Sequence, residues 1–251
     1  MRYIRLFKNL ANWWLYILVK FGLTRVDPLI FRTRNNIVIE VPRRLLHEFK
    51  EIFMEDSYTR GVELIVPGNS TVIDIGANAG FFSLFAAYRF PGSRIFSYEP
   101  VASNFIQLER NKVLNEDVEI MCFQKAVYGH SGEVSLSFDP NDSFTASASV
   151  FNNPGVQNKT VRVPCVTLQE IFDEHHLECC DLLKIDCEGA EYEILYNCPV
   201  NYLHRVAQMA IEVHVGTGPN QNIESLANYL NAKDYKTRLY ADHMLWAWRQ
   251  N

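Results

Sequence analysis

The sequence predicts an α/β fold with a mostly parallel sheet covered on both faces. Three observations carry that prediction. From residue 67 onward strand-like and helix-like runs alternate, the pattern of a parallel sheet whose crossovers are helices. One such unit, VIDIGANAG at 72–80 followed by FFSLFAAYRF, is an apolar strand, a glycine turn and a helix in succession. The chain has 251 residues, 48% of them hydrophobic, enough for one large domain with a sizeable core.

Residues 1–36 form an amphipathic N-terminal extension. Arg5, Asn9, Asn12, Tyr16 and Lys20 recur at helical spacing, a polar stripe on a helix that is otherwise apolar. Arg2, Arg5 and Lys8 precede an apolar stretch over 13–19. That stretch is too short to span a bilayer, which needs about 20 apolar residues, and no small-residue cleavage site follows it. The expected role is packing on the body of the protein, while the apolar stripe also suits a membrane surface or self-association. Residues 37–66 supply a short strand (37–41) and a helix (45–54) that lead into the core. The turn Pro67-Gly68-Asn69 opens the main domain, 67–251.

Within that domain TVIDI (71–75) is a strand with its helix at 81–90. RIFSYE (94–99) is the next, with a helix at 103–114, and 118–127 contains a third strand. After the turn at 129–132, Val134, Leu136 and Phe138 alternate with serines, as in a half-exposed inserted strand. The polar stretch 141–158 reads as a loop placed to cover an acceptor, and VRVPCV (161–166) as a further short strand. Thr167 and Glu170 form a capping box that starts a helix. DLLKID (181–186) is the fourth parallel strand, with its helix from 189, and 206–213 is the fifth. A helix follows at 223–230. KTRLYAD (236–242) and HMLWAWR (243–249) are two strands able to pair with each other.

A net charge of −5 gives no electrostatic case for nucleic acid. The six cysteines include no C-x-x-C pair and no zinc spacing, so they read as reduced thiols in a cytoplasmic setting, with the extension as the route to a membrane periphery.

The glycine turn after TVIDI lets backbone approach a ligand closely. Asp74, just before it, would repel a pyrophosphate and suit a cationic group. Glu99, closing the next strand, stands where an acid grips a ribose diol. A ligand with a ribose, an ammonium and no pyrophosphate is S-adenosylmethionine. Asp74 is expected to anchor its amino-acid end. Gly76, Ala77, Asn78 and Gly80 form the turn beneath it, Glu99 holds the ribose with Pro100 and Asn104 beside it, and Ala126 and Val127 flank the adenine.

VIDIGANAGFFSL, FSYEP, LLKIDCEGAEYEIL and AIEVH, in that order, resemble the FkbM-type class I S-adenosylmethionine-dependent methyltransferases. The resemblance runs from about residue 37 to the C-terminus. Its most specific stretch is KIDCEGAE (184–191), usually KIDVEGAE in that family, so Cys187 is a departure. The resemblance implies a Rossmann-like seven-stranded sheet with an antiparallel last strand. It implies methyl transfer, most often to a hydroxyl of a sugar, glycan or polyketide, and similar N-terminal extensions in members linked to polysaccharide assembly.

Transfer also needs a group to take the acceptor's proton, and open α/β sheets place such groups at the carboxyl ends of their strands. Asp186 is the expected general base or acceptor anchor, with a shared position in the cofactor site. Glu212 and His214 are acid–base candidates at the next strand end. Lys184, Glu188 and Glu191 are candidate substrate contacts, the two glutamates also suiting a helix N-terminus. Asp186, Glu212 and His214 together could hold a divalent metal. N-methylation and a catalytically inactive binding subunit remain as alternatives, whereas Asp74 and the missing third glycine speak against a nicotinamide enzyme.

Overall fold

The computed structural model describes residues 2–59, 66–138, 159–240 and 243–250. The expected covering loop at 141–158, and the turn at 241–242, lie outside them.

The extension folds as two helices, α1 (Arg2–Asn9) and α2 (Trp14–Lys20), followed by an antiparallel pair, β1 (Leu29–Arg32) and β2 (Val38–Val41). The inner side is mixed: Leu6, Leu10 and Tyr16 are buried against the body, while Arg5, Asn9 and Asn12 of the polar stripe are half-buried beside them and Lys20 is exposed. Arg5 donates to the Glu55 carbonyl at 2.8 Å and Asn9 to the Phe53 carbonyl at 2.7 Å. Asn12 donates to Ile30 O and accepts from Arg32 N. These side chains supply partners for backbone that has none of its own. The helix expected over 45–54 is present but uneven: a 3₁₀ turn at Arg43–Leu45, then α3 (Leu46–Lys50), then a π turn at Glu51–Glu55.

The main sheet contains β3 (Thr71–Ile75), β4 (Arg94–Tyr98) and β5 (Ile120–Phe123) on one side of the glycine turn. Its other half is β9 (Leu182–Ile185), β10 (Gln208–Glu212), β11 (Tyr235–Tyr240) and β12 (Met244–Arg249). The order is β11-β12-β10-β9-β3-β4-β5. β12 runs antiparallel between β10 and β11, and the pairs from β10 to β5 are parallel. The expected seven-stranded sheet is therefore present, last strand included. Between its halves a small sheet of β6 (Ala126–Val127), β7 (Gly132–Phe138) and β8 (Lys159–Val166) stands apart from it.

Helices α4 (Phe81–Arg89) and α5 (Ala102–Val113) follow β3 and β4, and α6 (Leu168–Glu174) begins on the predicted Thr167–Glu170 capping box. α7 (Glu191–Tyr196), α8 (Val200–Leu203) and α9 (Ile223–Asn231) complete the cover. Ile73, Ile75 and Ile185 point to one face and pack with α6, α7 and α9. Val72, Ile95 and Leu182 point to the other, where Phe81 and Phe85 of α4 meet Leu6, Leu10, Phe31, Phe49 and Phe53. The extension thus shares a core with the main domain. Register sets up the site: across the β3–β9 pair Asp74 lies opposite Lys184.

Candidate active site

The chain turns sharply after β3 and after β9, and these turns lie against each other. Gly76 has φ 74°, and a Cβ there would stand 1.7 Å from the Asp186 carbonyl oxygen. Only glycine fits both the left-handed backbone and the contact. We expect Gly76→Ala to destabilise the protein by about 2–3 kcal/mol. Denaturant unfolding checks this, and a loss below about 0.5 kcal/mol would contradict the close approach. Gly80, also expected at the cofactor, instead lets α4 pack on α5: a Cβ there would meet Leu108 Cδ1 at 2.5 Å.

Two cavities open at the strand ends. The first, of about 650 Å³, is bordered by Gly76, Asn78, Glu99, Pro100, Asn104, Ala126 and Val127. With Asp186, which also borders it, this cavity gathers eight of the residues expected around the cofactor. Val134 and Leu136 of β7 add an apolar wall. Glu99 is 4% exposed, and its two oxygens accept from Asn78 N and Val101 N, each at 2.8 Å. Burial pushes its carboxyl up to about 7 against the pull of those two N–H groups. A carboxylate so held keeps a lone pair on each oxygen for a further donor.

The second cavity, of about 940 Å³, meets the first at Gly76, Asn78, Asp186 and Glu188. Ala77, expected in the turn beneath the cofactor, borders this second cavity, between Gly76 and Asn78, which border both. Glu212 borders it as well. So do Glu48, Glu51 and Tyr58, from the segment before the main domain, none of which the sequence reading singled out. The Tyr58 hydroxyl lies 2.8 Å from Asp186 Oδ2 and 3.0 Å from Glu212 Oε2, donating to that pair. Its own carbonyl accepts from Trp246 Nε1 at 2.8 Å. Burial and the two carboxylates hold the Tyr58 phenol well above its ordinary range, so it stays a donor. Burial and Asp186 raise Glu212, which the Tyr58 hydrogen bond partly offsets.

Asp74 does not reach either cavity. It is 0% exposed, accepts from Ser83 Oγ at 2.6 Å, and faces Lys184 Nζ at 3.3 Å. The expectation that it anchors the cofactor is corrected: register and burial give its charge to Lys184. That lysine, 3% exposed, also lies 3.5 Å from Asp186 Oδ2 and donates to the Gly76 carbonyl at 2.8 Å. Burial opposes its charge, but Asp74 and Asp186 outweigh it and raise its pKa. Lys184 borders the second cavity as a clamp between β3 and β9, with little surface left for a substrate.

His214 and Glu191 are corrected too. Glu191 is 0% exposed, and its Oε1 accepts from Gly189 N and from His214 Nδ1 at 2.8 Å. It braces the turn before α7 and cannot touch a substrate. His214 Nε2 lies 3.5 Å from Glu188 Oε2. Burial disfavours the imidazolium, yet Glu191 and Glu188 raise it to about 9, so His214 is charged at neutral pH and unfit as a base. Glu188 has φ 51°, a strained backbone for a non-glycine, at the junction of the cavities. Burial lifts its carboxyl to about 7 despite His214. Among the described residues no three His, Cys, Asp or Glu side chains are arranged to hold a metal ion, and His214 turns to its glutamates instead of joining Asp186 and Glu212.

A mostly parallel sheet with β12 reversed and a cavity at the β3–β4 ends make the fold that of the class I, Rossmann-like methyltransferases. The family model of the methyltransferase FkbM domain matches residues 74–237, and the chain belongs to that family. Methyltransferase sdnD of Sordaria araneosa is 26% identical over 205 residues, 71% of this chain and 78% of that protein. The 31-O-demethyl-FK506 methyltransferase FkbM of Streptomyces tacrolimicus is 28% identical over 193 residues, 66% of this chain and 73% of that protein. A crystal structure of methyltransferase FkbM from Methylobacillus flagellatus superposes with a TM-score of 0.54 at 17% identity, over 76% of this chain but only 46% of that one. The protein is therefore a methyltransferase with S-adenosylmethionine as its cofactor.

Proposed function

We propose that this chain transfers the methyl group to an acceptor hydroxyl, on a sugar, glycan or secondary metabolite. The observation that carries the reading is the meeting of the two cavities at Asp186 and Glu188. The first cavity fits the cofactor by the chemistry of its walls. It pairs the buried Glu99 carboxylate, suited to ribose hydroxyls, with apolar walls at Ala126, Val127 and Leu136, suited to adenine. Bound S-adenosylmethionine supplies the electrophilic methyl carbon.

The chain supplies the rest. The second cavity holds the acceptor, and Asp186 takes the proton released at its oxygen. Tyr58 fixes Asp186 and Glu212 side by side. The imidazolium of His214 holds Glu188 in place at the boundary. One relative's name, a 31-O-demethyl-FK506 methyltransferase, supports oxygen as the target. One observation favours an acceptor that also bears an amine: Glu48, Glu51, Asp186, Glu188 and Glu212 all border its cavity, and the lysine there is taken up by Asp74 and Asp186.

Methyl-labelled S-adenosylmethionine, offered with a panel of sugars, macrocyclic alcohols and their amino analogues, tests this. Label on oxygen is expected. Label on nitrogen alone overturns the hydroxyl reading. Binding of S-adenosylhomocysteine with no transfer to any acceptor favours an inactive binding subunit.

The role of Glu99 has a test that needs no acceptor. Ribose hydroxyls donate to the ionised carboxylate, so below about pH 7 a proton must leave before they bind. Affinity for S-adenosylhomocysteine should rise with pH up to about 7 and then level. Glu99→Ala should lower the affinity about 10- to 100-fold and flatten the slope. Calorimetry checks both, and unchanged affinity in a folded variant removes the ribose assignment.

A further inference from the structure

Besides the buried Leu6, Leu10 and Tyr16, the N-terminal extension carries a second set of apolar side chains on its outside. Among the described residues, seven of the fourteen exposed large hydrophobic side chains fall within the first 26 positions. Tyr3, Ile4 and Phe7 project from α1, and Trp14 from α2. Phe21, Leu23 and Val26 continue past its end, 66%, 70% and 58% exposed. The two helices make one surface. The Lys20 ammonium donates to the Tyr3 hydroxyl at 2.6 Å and lies over the Tyr3 and Phe21 rings, and Phe7 packs edge-on against Trp13 at 4.4 Å.

The charge on this surface is opposite to that of the molecule. The first 34 residues hold seven basic side chains and one acid, Asp27, in a chain whose net charge is −5. Lys8, Lys20, Arg25 and Arg34 are exposed, the last also donating to the Phe7 carbonyl at the end of α1. Asp27 accepts from Arg43 N.

We propose that this face docks on an anionic membrane surface. Aromatic and aliphatic side chains enter the interfacial layer, basic side chains meet the lipid headgroups, and the acidic body is held away, which fixes the orientation. Self-association fits less well. A two-fold pair through this face would bring together two copies of one basic surface. No helix among the described residues is long and apolar enough to cross a membrane, so the contact is peripheral.

The docking face is joined to the transfer site. Arg5 and Asn9, on the inner side of α1, hold the Glu55 and Phe53 carbonyls of the π turn. That turn contributes Glu51 and Ile52 to the second cavity. One helix thus separates the membrane face from the acceptor cavity. Resting on the transfer reading above, this arrangement suits an acceptor carried on a lipid.

Sedimentation of the full chain with vesicles tests the docking without any acceptor. Vesicles of phosphatidylcholine with about 30% phosphatidylserine should carry the protein down, and about 0.5 M salt should release it. Phosphatidylcholine alone should carry little. Phe21→Ser and Leu23→Ser alter exposed side chains and should each lower the partition about tenfold, with affinity for S-adenosylhomocysteine unchanged. Absence of co-sedimentation with the anionic vesicles overturns the proposal. So does equal partition onto neutral vesicles, or partition that both variants leave intact. A salt-sensitive dimer that ignores vesicles overturns it in favour of a second copy. Failure to methylate any acceptor leaves the vesicle result standing, so the two readings fall separately.

Discussion

Lys184→Met is expected to destabilise the fold by about 3–5 kcal/mol, the range for breaking a buried ion pair by removing one partner. The ammonium, 3% exposed, is the cationic partner of Asp74 among the described residues, and Asp74 is 0% exposed. It also donates to the Gly76 and Ile75 carbonyls, tying the glycine turn to β9. Methionine matches the length and leaves the Asp74 carboxylate with Ser83 alone. An uncompensated buried carboxylate is tolerated only when protonated, so the loss should be larger at pH 8 than at pH 5. Adding Asp74→Asn removes the stranded charge and should recover a large part of the loss. Denaturant unfolding of the four proteins measures this. A single-variant loss below about 1 kcal/mol would show that the pair behaves like an exposed one.

The same pair shows where sequence reading stops. The reversed β12 was implied by the family resemblance and β1 at Leu29–Arg32 was not foreseen, whereas the strands of the main sheet were legible in local runs. So were the residues around the first cavity, since parallel strands deliver their ends to one edge of the sheet. Asp74 was misread for the same reason: a carboxylate at a strand end looks open, and nothing local says that Lys184, about 110 positions later, lies beside it. Tyr58 was invisible because its contact with Asp186 spans 128 residues and no spacing announces it. His214 was visible as a histidine but not as a cation, since its charge depends on Glu191 reaching back across the turn. The amphipathic pattern of the extension was legible, but not the mixed inner side in which Leu6, Leu10 and Tyr16 are buried beside Arg5 and Asn9. Amphipathicity says that a helix has two faces, but not that the Phe53 and Glu55 carbonyls draw Arg5 and Asn9 to the same side as the buried leucines.

Asp186→Asn is expected to lower kcat/KM about 10²- to 10⁴-fold while leaving the affinity for S-adenosylhomocysteine within about threefold. The amide keeps the shape and can still accept from Tyr58, but it cannot take a proton. Glu188 is the rival base: it borders both cavities, and burial already holds it at about 7. The two are separable by pH with the acceptor that the labelled panel identifies. If Asp186 takes the proton, Glu188→Gln retains most of the rate and the shape of the acid limb. If Glu188 takes it, the limb near pH 7 vanishes in Glu188→Gln, and Asp186→Asn loses rate only through the disturbed pair with Glu212. Full activity in Asp186→Asn would sink its role as base. It would leave Asp186 as a member of the Lys184 and Tyr58 network, and the proton would leave through the carboxylate that His214 holds at the boundary.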